Sequence, residues 1–228
     1  MTIFRFVFKR TLKKPLDIVM LILMPILCVF ISAETWLPVP LGFQLYGLVI
    51  MFISSKICKT MMEDREKKVV LRLAASPITH LRYLIENLFA YTLIVTVINA
   101  IVVSLGVLIY GATLSSPLKL FILYSAFSAT SIGVSIAWYA LFRHSETAYS
   151  ILGGLYVSIA MLGGMFWPYE IMPISIQKAI QILPTFWFAE GMRIVTSDGN
   201  EGRFIINLGI LVLYGVACVL LGSRKRIA

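Results

Sequence analysis

The chain has 228 residues, of which 59% are hydrophobic and 14% are charged, and its formal net charge is +9. Soluble domains contain about 45–50% apolar residues, so this composition excludes an ordinary soluble domain. The apolar residues form runs of roughly 20 without alternation, which predicts membrane-spanning helices and excludes the strands of a membrane barrel.

Six apolar runs follow one another along the chain, so we expect an all-α integral membrane protein with six transmembrane helices. The first run follows basic residues, as in a signal peptide, but Ile31-Ser32-Ala33 is a poor cleavage site, and a retained span is favoured. The runs cover about Leu16–Ala33, Leu41–Ile57, Leu84–Tyr110, Leu118–Phe142, Ala148–Phe166 and Phe204–Gly222.

The basic residues are distributed unevenly between the two sides that six spans define. Sixteen of the 20 lysines and arginines precede the first run, follow the last, or lie in the loops after the second and fourth; the other four are Lys119, Lys178, Arg193 and Arg203. Positive residues concentrate in the cytoplasm. We therefore expect a multi-pass protein of the cell membrane with both termini cytoplasmic, and we do not interpret the positive charge as nucleic-acid binding.

A charged segment follows the second run. It begins with Glu63, Asp64 and Glu66, which suit a helix N-terminus, and Ser76-Pro77 ends it. The pattern predicts a short helix over 63–77 that lies along the cytoplasmic membrane face. Two interpretations stay open: a docking surface for a soluble partner, or a juxtamembrane helix held by lipid head groups.

The connection over 167–193 is too rich in proline for a span and too apolar for a free loop. It predicts two short re-entrant helices that dip into the outer leaflet and separate near Pro184. Irregular backbone at this depth is tolerated against protein or a watery cavity, so the segment is predicted to cap a pathway. The candidate external gate consists of Phe166, Pro168, Glu170, Pro184, Glu190 and Arg193.

These two segments together resemble the permease subunit of ABC-2 type transporters. The family's charged segment has the form E-R-E-x-G-T-L-E-x-L-x-x-T-P-V, and here Asp64-Arg65-Glu66, Leu73 and Ser76-Pro77-Ile78 keep its register. The family's glycine, phenylalanine and proline pattern after the fifth span matches Gly163 to Pro173. Its Leu-Pro and acidic-x-x-Arg elements match Leu183-Pro184 and Glu190 to Arg193. Lys68, Val69 and Leu71 depart from the family form.

The resemblance implies a single ABC-2 type transmembrane domain over 1–228, with an amphipathic interfacial helix at 1–15 and the spans within 16–222. It also implies two copies of a cytoplasmic ABC ATPase, which hold ATP and Mg²⁺, and a second permease as a homodimer or paralogous heterodimer. This chain has no G-x-x-x-x-G-K-[ST] loop, so we expect it to have no enzyme activity or cofactor of its own. The residues implied in ATPase coupling are Glu63, Asp64, Arg65, Glu66, Arg72 and Leu73.

Spans two and five line the dimer interface and the pathway in related transporters, and here both are rich in aromatic residues and methionine. Asn99 adds a polar group deep in span three, where such groups are costly and often functional. The small residues of span four favour close helix packing over a substrate path. The histidines and cysteines match no metal-binding pattern. The candidate pathway residues are Tyr46, Met51, Phe52, Asn99, Tyr156 and Met161.

The predicted function is ATP-driven export of a hydrophobic or amphipathic compound, such as a drug, an antimicrobial peptide or a lipid-linked molecule. Direction follows from the resemblance and from no residue of the chain. The alternative is a sensory or immunity subunit that binds a peptide without transporting it. An intramembrane protease is excluded because the spans hold no catalytic constellation, and a secondary transporter is disfavoured because the two halves share no symmetry.

Overall fold

The computed structural model describes residues 15–33, 36–66, 80–111, 114, 116–197 and 200–224, and within these it leaves out the side chains of 15–20, 64, 65, 80–84, 223 and 224. The described residues form eight α-helices, one 3₁₀ turn at Tyr169–Ile171 and no strand. The helices are α1 Pro15–Val29, α2 Leu41–Glu66, α3 His80–Tyr110, α4 Pro117–Tyr139, α5 Ser145–Leu162, α6 Ile174–Ile180, α7 Pro184–Thr196 and α8 Glu201–Arg224.

Four helices of the described part are long and apolar enough to cross a membrane. They contribute the segments Leu41–Glu63, Ile85–Tyr110, Pro117–Tyr139 and Glu201–Gly222. Helix α1 has 15 described residues, fewer than the roughly 20 that a span needs. Helix α5 has 18 residues and begins with the polar sequence Ser145-Glu146-Thr147. The chain is therefore a multi-pass membrane protein with at least these four apolar helices.

Contacts between helix ends show that six helices alternate in direction. The N–H of Gly42, at the start of α2, donates to the carbonyl of Ile31 just after α1, and the hydroxyl of Tyr124, in the first half of α4, donates to the carbonyl of Phe43 at the start of α2. The hydroxyl of Tyr110, at the end of α3, donates to the carbonyl of Val29 at the end of α1. Lys119, near the start of α4, pairs with Glu201 at the start of α8. Glu66, at the end of α2, contacts Ser145 at the start of α5. The start of α1 and the end of α8 consequently lie at the same end of the bundle.

Helix α2 is longer than the sequence predicted. The second span was expected to end near Ile57 and a separate helix to start near Glu63, but a single helix continues through Glu66. No glycine or proline lies between Leu48 and Glu66, so nothing in the backbone interrupts the hydrogen-bonding pattern. The predicted start of the 63–77 helix is wrong, and residues 67–79 lie outside the described part.

The tightest helix contact joins α4 and α8. A Cβ atom on Gly133 would lie 2.6 Å from the backbone oxygen of Gly215, so the two backbones approach as closely as glycine permits. The hydroxyl of Thr130 also donates to the carbonyl of Leu211 at 2.6 Å. These contacts agree with the packing interpretation of the small residues in α4.

Candidate functional site

Two polar clusters lie at opposite ends of helix α2, which at 1.5 Å per residue is about 39 Å long. The first, the Arg193 cluster, comprises Trp36, Tyr169, Glu170, Glu190 and Arg193. Trp36 stands shortly before α2 in the chain. The second, the Glu66 cluster, comprises Lys59, Glu66, Ser145, Glu146 and Tyr149 and surrounds the end of α2.

The guanidinium of Arg193 is the centre of its cluster. Its Nη1 atom forms an ion pair with Oε1 of Glu170 and lies 3.9 Å from Oε2 of Glu190, one turn earlier on α7. Its Cζ atom is 4.9 Å from the centre of the Tyr169 ring and 5.7 Å from that of Trp36. One side chain therefore joins α7 to the 3₁₀ turn and to the segment before α2.

The electrostatics of this cluster favour its charged pairs. Burial lowers the pKa of Arg193, but the hydrogen bond with Glu170 and the nearby carboxylates outweigh it and raise that pKa above its ordinary value. Burial and the carboxylate of Glu190 raise the pKa of Tyr169. The Tyr169 hydroxyl consequently stays protonated at neutral pH and donates to Oε2 of Glu190 at 3.4 Å.

The predicted gate residues lie in one connected region. The 3₁₀ turn that carries Glu170 begins directly after Pro168, and α7 begins at Pro184 and carries Glu190 and Arg193. The half-buried Phe166 packs against the core. The structure thus brings the three predicted charged residues together and has two short helices, α6 and α7, in the predicted segment.

In the Glu66 cluster, a carboxylate from one helix caps another. Oε1 of Glu66 accepts a hydrogen bond from the backbone N–H of Ser145 at 2.5 Å, and Oε2 accepts one from the Ser145 hydroxyl at 3.0 Å. Ser145 is the first residue of α5, and His144 before it provides no side-chain cap. Glu66 therefore supplies both an acceptor and a negative charge to the N-terminus of α5.

Lys59 makes the second link between α2 and α5. Its Nζ atom lies 2.6 Å from Oε1 of Glu146 and 5.1 Å from the centre of the Tyr149 ring. The Lys59 side chain is only 10% exposed, whereas that of Glu146 is 80% exposed. The buried ammonium group of Lys59 is thus stabilised by these two α5 residues, while the carboxylate of Glu146 stays largely hydrated.

The residues predicted to couple to an ATPase divide into three groups. Glu66 contacts α5 as described, and Glu63 is half-buried on α2. Asp64 and Arg65 belong to α2, but their side chains lie outside the described part. Arg72 and Leu73 lie outside the described residues. The same holds for residues 1–14 of the predicted interfacial helix.

Four of the predicted pathway residues are buried inside the bundle. The hydroxyl of Tyr46 donates to Oδ1 of Asn99 at 2.7 Å, and Nδ2 of Asn99 donates to the Ser128 hydroxyl at 3.0 Å. This network joins α2, α3 and α4. Tyr156 shares a hydrogen bond of 2.7 Å with Ser135, and Met51 is 2% exposed.

The other two pathway residues lie nearer the surface of the chain. Phe52 is half-buried, packs edge-to-face on Tyr156, and lines a cavity of about 130 Å³ between α1, α2 and α5. Met161, on α5, is exposed. The cavity is lined by Leu21, Met24, Val49, Phe52, Ile53, Lys56 and Tyr149.

Sequence reasoning did not assign Lys59, Ser145 and Glu146 to a site. Lys59 and Glu66 are seven residues apart and so share a face of α2. This spacing could be recognised only if the helix was known to continue to Glu66. No local pattern links them to Ser145, which is 79 residues further along the chain than Glu66. Trp36 and Tyr169 were likewise unassigned, as aromatic residues near a predicted membrane interface.

The chain is similar in sequence to known bacterial permeases. YvfS, a putative transport permease of Bacillus subtilis (strain 168), is 27% identical over 189 residues, which make up 81% of this chain and 73% of that protein. LnrN, a linearmycin resistance permease protein of the same organism, is 22% identical over 184 residues, 80% of this chain and 47% of that protein. Residues 39–224 match the family described as ABC-2 family transporter protein, and the chain belongs to this family.

Proposed function

We propose that this chain is the permease subunit of an ATP-driven exporter that moves a hydrophobic or amphipathic compound out of the cell. Family membership over residues 39–224 is the observation that carries the proposal. The relative LnrN is a resistance permease, and resistance is the effect expected when a compound is removed from the cell. The cargo class rests on the aromatic and methionine residues of α2 and α5.

The proposed orientation places the Glu66 cluster at the cytoplasmic side and the Arg193 cluster at the outer side. Six alternating helices, α1 to α5 and α8, would cross the membrane, which is consistent with α1 starting and α8 ending at the Glu66 end. The excess of lysine and arginine on that side supports the assignment. Helices α6 and α7 would then form the re-entrant cap over the pathway.

The energy would come from other chains. The sequence holds no phosphate-binding loop, so we propose that two copies of an ABC ATPase bind ATP and Mg²⁺ and dock on the charged segment after α2. A second permease, identical or paralogous, would complete the complex. Glu63, Asp64, Arg65, Arg72 and Leu73 remain the proposed contacts with the ATPase.

The burial of the predicted pathway residues divides their proposed roles. Tyr46, Asn99 and Tyr156 bond to neighbouring helices and would hold the bundle together, so a cargo reaches them only if the helices separate. Phe52 and Met161 face the cavity or the surface of the chain. We therefore assign direct cargo contact to Phe52 and Met161.

Reconstituted transport tests this function. The tagged permease is purified in mild detergent, its ATPase partner is identified by mass spectrometry, and the complex is placed in liposomes. We expect ATP-dependent uptake of a fluorescent amphipathic compound by the vesicles whose ATPases face outward. An ATPase with its phosphate-loop lysine replaced is the control.

Two substitutions locate the pathway in the same assay. Phe52→Ala and Met161→Ala should lower uptake, while Leu213→Ala, at an exposed position on α8, should leave it unchanged. A permease that binds a peptide, purifies without an ATPase and moves no cargo would contradict export and favour a sensory or immunity subunit.

A further inference from the structure

The end of α2 is attached to α5 at two points. Glu66 caps the first residue of α5, and Lys59 pairs with the second, Glu146. Because Lys59 and Glu66 are seven residues apart on one face of α2, the two contacts restrict both translation and rotation of one helix end against the other. Residue 66 is also the last residue before the rest of the charged segment.

We infer that Glu66 and Lys59 are positioning residues that transmit movement of the charged segment to α5. This inference rests on the proposed function, in which an ATPase docks on that segment. It assigns Glu66 to a contact within the permease, whereas the sequence predicted a contact with the ATPase. Movement of the segment would pull the start of α5 directly, without passing through α3 or α4.

The mechanical properties of the two helices support this route. Helix α2 has no glycine or proline from Leu48 to Glu66, about 28 Å of uninterrupted helix at 1.5 Å per residue. Packed helices of this kind move as rigid elements between discrete arrangements. A displacement at Glu66 is therefore carried to α5 instead of being absorbed by a bend in α2.

The far end of α5 is joined in turn to the helix that carries Arg193. The Thr185 hydroxyl, in the first turn of α7, donates to the carbonyl of Ile159 at 2.8 Å. A Cβ on Gly163 would lie 2.1 Å from that hydroxyl oxygen, so the end of α5 is pressed against α7. The route thus runs from the charged segment through α5 to α7 and its Arg193 cluster.

A purely structural cap is the competing explanation, and one pair of substitutions separates the two. Glu66→Ala removes both the cap and one of the two links to α2. Adding Ser145→Asp returns a negative charge to the first turn of α5 from within that helix, but it does not restore the lost link. If Glu66 only stabilises α5, the double variant behaves like the parent; if Glu66 transmits movement, it does not.

The experiment uses the complete permease–ATPase complex in liposomes. Native Cys28, Cys58 and Cys218 are replaced by alanine, and Leu162→Cys places one thiol at the exposed end of α5. The two measurements are cargo moved per ATP hydrolysed and the change in maleimide labelling rate when vanadate traps the nucleotide. Lys119→Met is the matched control, because it breaks a comparable ion pair between α4 and α8 at the opposite end.

In the parent complex we expect nucleotide trapping to change the labelling rate. In Glu66→Ala with Ser145→Asp we expect that change to become smaller, because only the Lys59–Glu146 link remains, and transport per ATP to fall about fivefold. Glu66→Asp, which keeps the carboxylate, should recover part of the coupling. Lys119→Met should behave like the parent.

Three results would overturn the inference. The double variant could keep parental coupling and labelling; it could lose the bound ATPase, which would make Glu66 a direct docking residue; or the parent could transport with no change at Leu162→Cys. A parent that binds no ATPase and moves no cargo is a different outcome, because it removes the proposed function itself.

Discussion

The two clusters at the ends of α2 differ in how they distribute their charge. In the Arg193 cluster one cation serves two carboxylates and two aromatic rings, so a single side chain holds three chain segments. In the Glu66 cluster two residues of α2 make separate contacts: Glu66 accepts hydrogen bonds at the N-terminus of α5, and Lys59 pairs with Glu146 and lies near the Tyr149 ring. The first arrangement depends on one residue, whereas the second keeps one link when the other is lost.

The comparison also shows what each cluster restrains. The Arg193 cluster joins a three-residue 3₁₀ turn that has no buried residue to the 13-residue α7, which is packed into the bundle. The Glu66 cluster joins the ends of two long helices that are already packed along their length. Loss of polar contacts should therefore loosen the 3₁₀ turn at the Arg193 end and alter the alignment of the two helices at the Glu66 end.

The largest effect is expected for Arg193→Leu. It leaves Glu170 and Glu190 without their shared cation. The charged hydrogen bond to Glu170 is of a kind that contributes about 1.5–3 kcal/mol, less here because Glu170 is partly exposed, and the longer ion pair with Glu190 adds less. We expect a fall of several degrees in the melting temperature of the detergent-solubilised protein and faster proteolysis within 167–193. Arg203→Gln, at an exposed arginine of α8, is the control.

Arg193→Lys sharpens this prediction. Lysine keeps the charge but lacks the planar fork that reaches several partners at once, so its melting temperature should lie between those of the parent and Arg193→Leu. A lysine variant as unstable as the leucine variant would show that geometry outweighs charge. Parental stability in both would contradict the central role of Arg193.

Glu66→Ala should have the next largest effect on stability. Loss of a helix cap costs about 0.5–2 kcal/mol, and a change of 1 kcal/mol shifts the melting temperature by about 2–4 °C in a chain of this size. Ser145→Asp in the same chain should restore most of that shift. If it restores none, the Glu66 contact stabilises the fold in some way other than by capping α5.

The Lys59–Glu146 pair should be asymmetric. Glu146→Gln removes the carboxylate from a buried lysine, whereas Lys59→Met leaves a glutamate that is already hydrated. We expect Glu146→Gln to be the more destabilising of the two, by about 0.2–1 kcal/mol, with the melting temperatures measured in parallel. Equal effects would mean that Lys59 is better hydrated than its burial indicates.

The smallest effect is expected inside the bundle and serves as a reference for both ends. Tyr46→Phe deletes one hydrogen bond to Asn99, and such bonds between membrane helices average about 0.6 kcal/mol. Denaturant unfolding in mixed micelles measures the difference. If Tyr46→Phe lowers the free energy of unfolding as much as Arg193→Leu does, the polar contacts inside the bundle stabilise it at least as much as those at its ends.

Much of the fold follows from local sequence. Apart from the end of α2, apolar runs locate the long helices to within a few residues, and α7 begins at Pro184, where the sequence predicted a break between two short helices. The end of α2 was misjudged because acidic residues suit a helix N-terminus. Glu66 does lie at a helix N-terminus, but that helix is α5, which begins 79 residues further along the chain. The residue type therefore predicted the kind of group that Glu66 contacts, but not the helix to which that group belongs.

The candidate site was predictable where its members lie close in sequence. Glu190 and Arg193 share one face of α7, and Glu170 belongs to the same short segment, so the segment predicted the charged residues of the Arg193 cluster. Tyr46, Asn99 and Ser128 come from three helices, and their hydrogen bonds depend on the packing of the whole bundle. No periodicity in a single helix contains that information.

The close contact of Gly133 with Gly215 has a consequence for biosynthesis. Helix α8 is translated after α4, yet it covers Thr130 and Gly133 in the middle of α4. Until α8 is inserted, this face of α4 lacks the backbone of Gly215 that fits against it, and the Thr130 hydroxyl has the carbonyl of Ala126 in its own helix but not that of Leu211. The order of synthesis therefore makes α4 wait for α8, and a chain that stops before α8 leaves these small residues facing lipid.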